Sequence, residues 1–168
     1  MKNTVFKFGL YALITAMALF ALALTAGGGL SYTAQEVIGY LTMFIALSFI
    51  FFGIRHYRDK VNGGKVSFGK ALLIGMLIAA FAGIGIGLMD YIYTTVINPD
   101  FAQEYLSTSL EAMKETLPVE EFNKEKAALE AQMEQYGGSG FMAFIMFITV
   151  CMIGVIVSVI SALILQRK

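Results

Sequence analysis

Four long apolar runs dominate the chain, separated by polar connections of unequal length. Phe8–Ala26 and Val37–Ile54 carry no charge, Ala71–Ile97 carries only Asp90, and Phe141–Leu165 carries none. An α-helix rises about 1.5 Å per residue, so about 20 apolar residues cross the hydrocarbon layer of a bilayer. The four runs therefore predict four transmembrane helices, at 8–26, 37–54, 71–97 and 141–165. A β-barrel would need strands of about ten residues alternating apolar and polar positions, and these runs do not alternate.

The longest polar connection, 98–140, has its own periodicity. Asn98-Pro99-Asp100 interrupts the third run, and proline suits the first turn of a new helix. Phe101, Tyr105 or Leu106, Leu110, Met113 and Leu117 follow at helical spacing. Thr116 and Pro118 mark a second start. Val119, Phe122, Lys126, Leu129, Met133 and Tyr136 then form a heptad-like seam whose one polar member is Lys126. Gly137-Gly138-Ser139-Gly140 ends it. Two matching apolar stripes predict a helical hairpin. The expected fold class is an all-α membrane protein: four transmembrane helices, with an extracytoplasmic helical hairpin between the third and fourth, forming a single membrane domain over 1–168.

Charge gives this arrangement a direction. The 168 residues carry 12 basic and 12 acidic side chains, so the formal net charge is zero, but the two signs are segregated. Lys2, Lys7, Arg55, Arg58, Lys60, Lys65, Lys70, Arg167 and Lys168 flank the spans on one side, against the single acid Asp59. The connection 98–140 holds Asp100, Glu104, Glu111, Glu115, Glu120, Glu121, Glu125, Glu130 and Glu134 against Lys114, Lys124 and Lys126. Short basic loops stay in the cytoplasm. Both termini and the basic loop 55–70 are therefore expected inside, with the turn Gly27–Glu36 and the acidic hairpin outside. Cleavage of the first run as a signal peptide is disfavoured, because its 19 residues exceed an h-region of about 7–15.

Composition narrows the function classes. Apolar residues make up 58% of the chain and charged ones 14%, against about 25% charged in soluble domains. An ordinary soluble domain, a disordered chain and a basic nucleic-acid binder are thereby excluded. One cysteine, Cys151, leaves no intramolecular disulfide and no cysteine metal cluster. No HExxH, GxSxG, P-loop or dinucleotide fingerprint occurs, and Gly83-Ile84-Gly85-Ile86-Gly87 lies inside a span. No catalytic residue, cofactor or metal is expected. The repeated Phe-Gly pairs at Phe8-Gly9 and Phe68-Gly69 are too short to establish a duplication.

Three sets of residues stand out. Ala71, Gly75, Ala79, Gly83 and Gly87 recur every four positions in the third span, as do Gly154, Ser158 and Ala162 in the fourth. Such small ridges let helices approach closely where lipid offers no hydrophobic drive, within one chain or between chains. Asp90 is the one ionisable residue well inside a span. It lies 20 residues beyond Lys70, about 30 Å along a helix, near the outer boundary. It is read as an interfacial carboxylate bonded to a Tyr or Thr hydroxyl, with a proton or cation site as the alternative. Arg55, His56, Arg58, Lys60, Lys65 and Lys70 form a basic cluster suited to anionic headgroups and to fixing topology. Asn62-Gly63-Gly64 marks a turn within it, and Ser67 suits an N-cap of the third span.

The segments Gly53-Ile54-Arg55-His56-Tyr57-Arg58-Asp59, Asn62-Gly63-Gly64-Lys65-Val66-Ser67-Phe68-Gly69-Lys70-Ala71 and Tyr93-Thr94-Thr95-Val96-Ile97-Asn98-Pro99 resemble the bacterial membrane family known as domain of unknown function 4199. The resemblance covers nearly the whole chain. It implies an inner-membrane protein of Gram-negative bacteria, with an accessory role beside glycosyltransferases, and carries over no catalytic residue. The leading expectation is a small integral protein acting by association with the bilayer and with a second copy or another membrane protein: a subunit, scaffold or assembly factor. The alternative is an oligomeric transporter or channel using Asp90.

Overall fold

The computed structural model describes residues 1–26 and 32–167. The first half of the expected outer turn 27–36, and Lys168, lie outside the described residues. Among the described residues six α-helices follow one another: α1 (Lys2–Ala26), α2 (Tyr32–His56), α3 (Phe68–Ile92), α4 (Phe101–Thr116), α5 (Val119–Tyr136) and α6 (Ser139–Leu165). Two π-turns, Tyr57–Val61 and Tyr93–Ile97, extend α2 and α3. Four helical stretches among the described residues are long and apolar enough to cross a membrane, and the chain is a multi-pass membrane protein. The helices overrun the apolar runs, α1 beginning at Lys2 and α2 ending at His56. Backbone hydrogen bonding continues where side chains turn polar. The chain forms two compact units, 1–89 with 145–168, and 90–144.

In the first unit α3 is the central helix. Half of its most apolar stretch is buried, against 39% for α2, 22% for α1 and 17% for α6. Its buried residues Ile74, Ile78, Ala79, Ala82 and Ile86 join Ala12 and Ala16 of α1, Ala46, Leu47, Ile50 and Ile54 of α2, and Val150 and Ala162 of α6. Glycines set the closest approaches. A Cβ on Gly85 would stand 2.7 Å from the Leu13 carbonyl oxygen, and one on Gly9 2.7 Å from the Phe81 ring. A Cβ on Gly53 would collide with Ile78. Large apolar side chains remain exposed on the outward faces, including Leu22, Phe44 and Ile156, as befits helices whose solvent is hydrocarbon.

One end of this unit is tied together by polar contacts. The π-turn closes with the Asn62 amide donating to the Tyr57 carbonyl at 2.9 Å. Gly63 and Gly64 follow with φ of 62° and 83°, the left-handed region that glycine enters without steric cost. Asn62 Nδ2 donates to the Lys65 carbonyl at 2.7 Å. Val66 and Arg167 then exchange two backbone hydrogen bonds, each 2.9 Å, fastening the stretch after α6 to the α2–α3 loop. The helix α3 starts immediately after Ser67, whose carbonyl accepts the Ala71 amide at 3.0 Å.

The second unit holds the end of α3, then α4, α5 and the start of α6. Leu117 is extended, as a residue before proline must be, and Pro118 leads into α5. Helices α4 and α5 touch. Phe101, Leu106, Leu110, Met113 and Leu117 are half-buried, as are Phe122, Lys126, Leu129 and Met133. No residue of either helix is fully buried. Aromatic contacts tie both ends, with Tyr93 against Phe101 at 5.7 Å and Tyr136 stacked on Phe141 at 4.9 Å.

The close approaches generate a test. A Cβ on Gly154 would collide with Ala79, whereas nothing lies within 4 Å of one on Gly39. Gly154→Ala should therefore cost about 1–3 kcal/mol through overpacking, and Gly39→Ala should add about 0.5–1 kcal/mol through helix propensity. Thermal midpoints of the two variants in one detergent should move in opposite directions. Equal midpoints would refute the packing.

Candidate functional site

The small-residue ridges of α3 and α6 meet face to face, antiparallel. A Cβ on Gly75 would stand 2.5 Å from Ser158 Oγ and 3.0 Å from Ile50 Cγ2. Ala79 abuts Gly154, and a Cβ on Gly83 would stand 2.9 Å from the Phe147 ring and 3.3 Å from Cys151 Sγ. Gly87 is buried. The ridge is thus consumed inside the chain, and any second copy or partner must dock elsewhere.

Four hydroxyls within the spans are bonded to the backbone of their own helices. Ser158 Oγ donates to the Gly154 carbonyl at 2.6 Å, Thr42 to Gly39 at 2.7 Å, Ser48 to Ile45 at 2.7 Å and Thr149 to Ile145 at 2.9 Å. A hydroxyl bonded to its own backbone adds little to a polar path.

Asp90 is 7% exposed. Its carboxylate atom Oδ2 has no hydrogen-bond partner among the described residues. The nearby Thr94 hydroxyl donates instead to the main-chain carbonyl of Asp90 at 2.9 Å, and Ser139 Oγ donates to the Thr94 carbonyl at 3.3 Å. The hydroxyl expected to satisfy Oδ2 is therefore committed to the backbone. No group of three or more His, Cys, Asp or Glu side chains suited to a metal occurs among the described residues.

The basic residues gather at one end of the first unit, though not as one site. Arg58 grips Asp59 through Nε at 2.6 Å and Nη2 at 3.0 Å, and its Nη1 reaches the Leu165 carbonyl at 3.4 Å. Arg55 lies 3.7 Å from the same carboxylate and is 60% exposed. Lys70 approaches the Tyr57 ring at 6.0 Å, the outer reach of a cation–π contact. Lys60 and Lys65 are exposed. His56 is half-buried, with its ring 5.2 Å from Phe8 and Nδ1 buried without a partner among the described residues.

Two features escaped sequence reasoning. Gly9, Gly53 and Gly85 are contact points off the four-residue ridge, and a glycine inside an apolar run is their only signal. The aromatic groups Phe8, Tyr11 and Phe49 connect α1 to α2 beside the basic end, with Phe8–Tyr11 at 5.9 Å and Tyr11–Phe49 at 6.1 Å. Their clustering near Lys7 and Arg55 in two separate runs was the available clue.

Asp90 generates a direct prediction. With no hydroxyl dependent on it, Asp90→Leu removes a buried unsatisfied oxygen, and such a group costs about 1–3 kcal/mol. Asp90→Leu should raise the thermal midpoint in detergent, and Asp90→Asn should leave it within about 1 kcal/mol. A fall in the Asp90→Leu midpoint would show that the carboxylate holds structure together.

A model of the family described as protein of unknown function (DUF4199) matches residues 7–167. No curated protein and no solved structure matches the chain.

Proposed function

The chain belongs to the DUF4199 family, and from that premise and the packing above we propose that it is a small inner-membrane protein acting by association. It serves as a subunit, scaffold or assembly factor of a cell-envelope or glycosyltransferase system and performs no catalysis of its own. In this reading both termini and the loop 55–70 are cytoplasmic, and α4 and α5 form an extracytoplasmic hairpin.

The carrying observation is the state of α4 and α5. Their apolar stripe is only half-covered, Val119 is 76% exposed, and the opposite faces are acidic. A stripe left half-covered in two ordered helices suits a partner that completes it. The ridges of α3 and α6 are already filled, so the partner or second copy engages the hairpin. Orientation follows from charge, the basic side chains standing at one end of the first unit and the acidic ones in 98–140.

A second reading rests on Asp90. A buried carboxylate oxygen without a partner suits a proton or cation. It makes the protein an oligomeric transporter or channel, whose polar path must come from several chains because Thr42, Ser48, Thr149 and Ser158 are bonded to their own helices.

Two experiments decide. Cysteines at Asn62 and Ser139, in a Cys151→Ala background, should label from opposite sides of the membrane, Ser139→Cys from outside. Labelling of both from one side would end the topology. Native-membrane purification in mild detergent should then yield the wild-type chain in an assembly. Leu110→Lys with Met133→Lys should leave it folded but alone. A wild-type monomer would overturn association, and a folded, assembled but inactive Asp90→Asn chain would put the transport reading first.

A further inference from the structure

Beside the basic end, α1 and α2 enclose an open groove of about 540 Å³. Phe8 and Tyr11 of α1 form one wall, and Phe49 and Phe52 of α2 form the other. Ring contacts hold the walls together, as Tyr11 bridges Phe8 and Phe49. The polar mouth is made by Arg55, His56, Asp59 and Lys60. From Arg55 down to Phe49 the helix descends about 9 Å, so the groove runs from the interfacial layer into the acyl region.

The charge at the mouth is not balanced. Arg58 holds Asp59 through two short hydrogen bonds and so occupies most of its carboxylate. Arg55 keeps only a 3.7 Å approach to the same group and stays exposed. Lys60 has no ion pair among the described residues. The π-turn Tyr57–Val61 matters here. A π-turn repeats at five residues rather than four, so it swings Lys60 back toward the face that carries Arg55. An interrupted helix has therefore placed two cations above an aromatic trough.

We propose that this groove binds one anionic phospholipid, its phosphate held between Arg55 and Lys60 and the start of an acyl chain laid against Phe8, Tyr11, Phe49 and Phe52. The two halves of the site match the two halves of that ligand. Apolar walls alone would take any lipid, and exposed cations alone would take any anion. Their junction at the depth of the headgroup selects a molecule that is both. The inference rests on the membrane reading but not on which face of the membrane is the cytoplasmic one.

The chain contains no tryptophan, so a single introduced indole reports without background. Phe52→Trp reads the groove, and Phe44→Trp, two turns away on the same helix and 54% exposed, reads bulk lipid. The full chain is reconstituted in vesicles holding phosphatidylglycerol and phosphatidylcholine, with the acyl chains of one or the other brominated as quencher. Brominated phosphatidylglycerol should quench Phe52→Trp at a several-fold lower mole fraction than brominated phosphatidylcholine. Phe44→Trp should show no preference. Arg55→Gln and Lys60→Gln should each reduce the preference about fivefold, the worth of one basic side chain at an anionic surface. Both residues are exposed, so the fold should survive. Tyr11→Trp reads the opposite wall should Phe52→Trp misfold.

Equal quenching by the two lipids at both groove positions would overturn the site and leave the membrane reading standing. The same preference at Phe44→Trp would reduce it to general enrichment of anionic lipid. Its loss in excess inorganic phosphate, but not in chloride of equal ionic strength, would assign the mouth to free phosphate instead. No quenching at any position would sink the membrane reading as well.

Discussion

Backbone-close contact along α3 is the constraint on which the first unit depends. In hydrocarbon, helices gain nothing by hiding leucine from solvent, because the solvent is equally apolar. They gain by fitting, and the fit here is made by small residues. Gly75 sits against Ser158 and Ile50, Ala79 against Gly154, Gly83 against Phe147 and Cys151, and Gly85 against the Leu13 backbone. Together these place α1, α2 and α6 around one central helix. Once they are in place, the exposed faces need only be apolar, and residues such as Leu22 and Ile156 meet that need without specific partners.

The same packing governs what the protein is free to do. Filling the ridges inside one chain removes the surface that would most readily support association between transmembrane helices. Turning the hydroxyls of Thr42, Ser48, Thr149 and Ser158 onto their own backbones removes most of the polarity a conduction path would draw on. What remains available is peripheral: the half-covered stripes of α4 and α5, and the basic, aromatic-lined groove at the first unit's end. Asp90 stands apart as a buried polar group that the observed hydrogen bonds leave incomplete.

Much of this architecture was legible in the sequence, for identifiable reasons. Uncharged length marks a span because crossing hydrocarbon is a demand on every residue in turn. The stripe through Phe122, Lys126, Leu129 and Met133 was legible because helical periodicity is local, and even its polar member Lys126 proves half-buried. The register of α3 on α6 was not legible, since a small residue every fourth position states that something comes close without stating what. Nor were the π-turns at Tyr57–Val61 and Tyr93–Ile97, which contain neither glycine nor proline. The hydroxyl expected for Asp90 went elsewhere because the carbonyl one turn back is nearer to Thr94 than any carboxylate need be.

The meeting of α3 with α6 also has a consequence in time. The partner of Gly75, Ala79 and Gly83 lies beyond the roughly 40 residues of 98–138. At synthesis rates of about 5–20 residues per second, α3 waits about 2–8 s before α6 begins to emerge. For that interval its glycine face has no helix to fill it, and lipid tails, which cannot follow a groove one methyl deep, seal it poorly. The chain thus passes through a three-span stage in which its central helix is held on two sides and open on the third. Closure comes only when α6 is complete and Arg167 has bonded to Val66, so the stretch just after α6 is what latches the first unit shut.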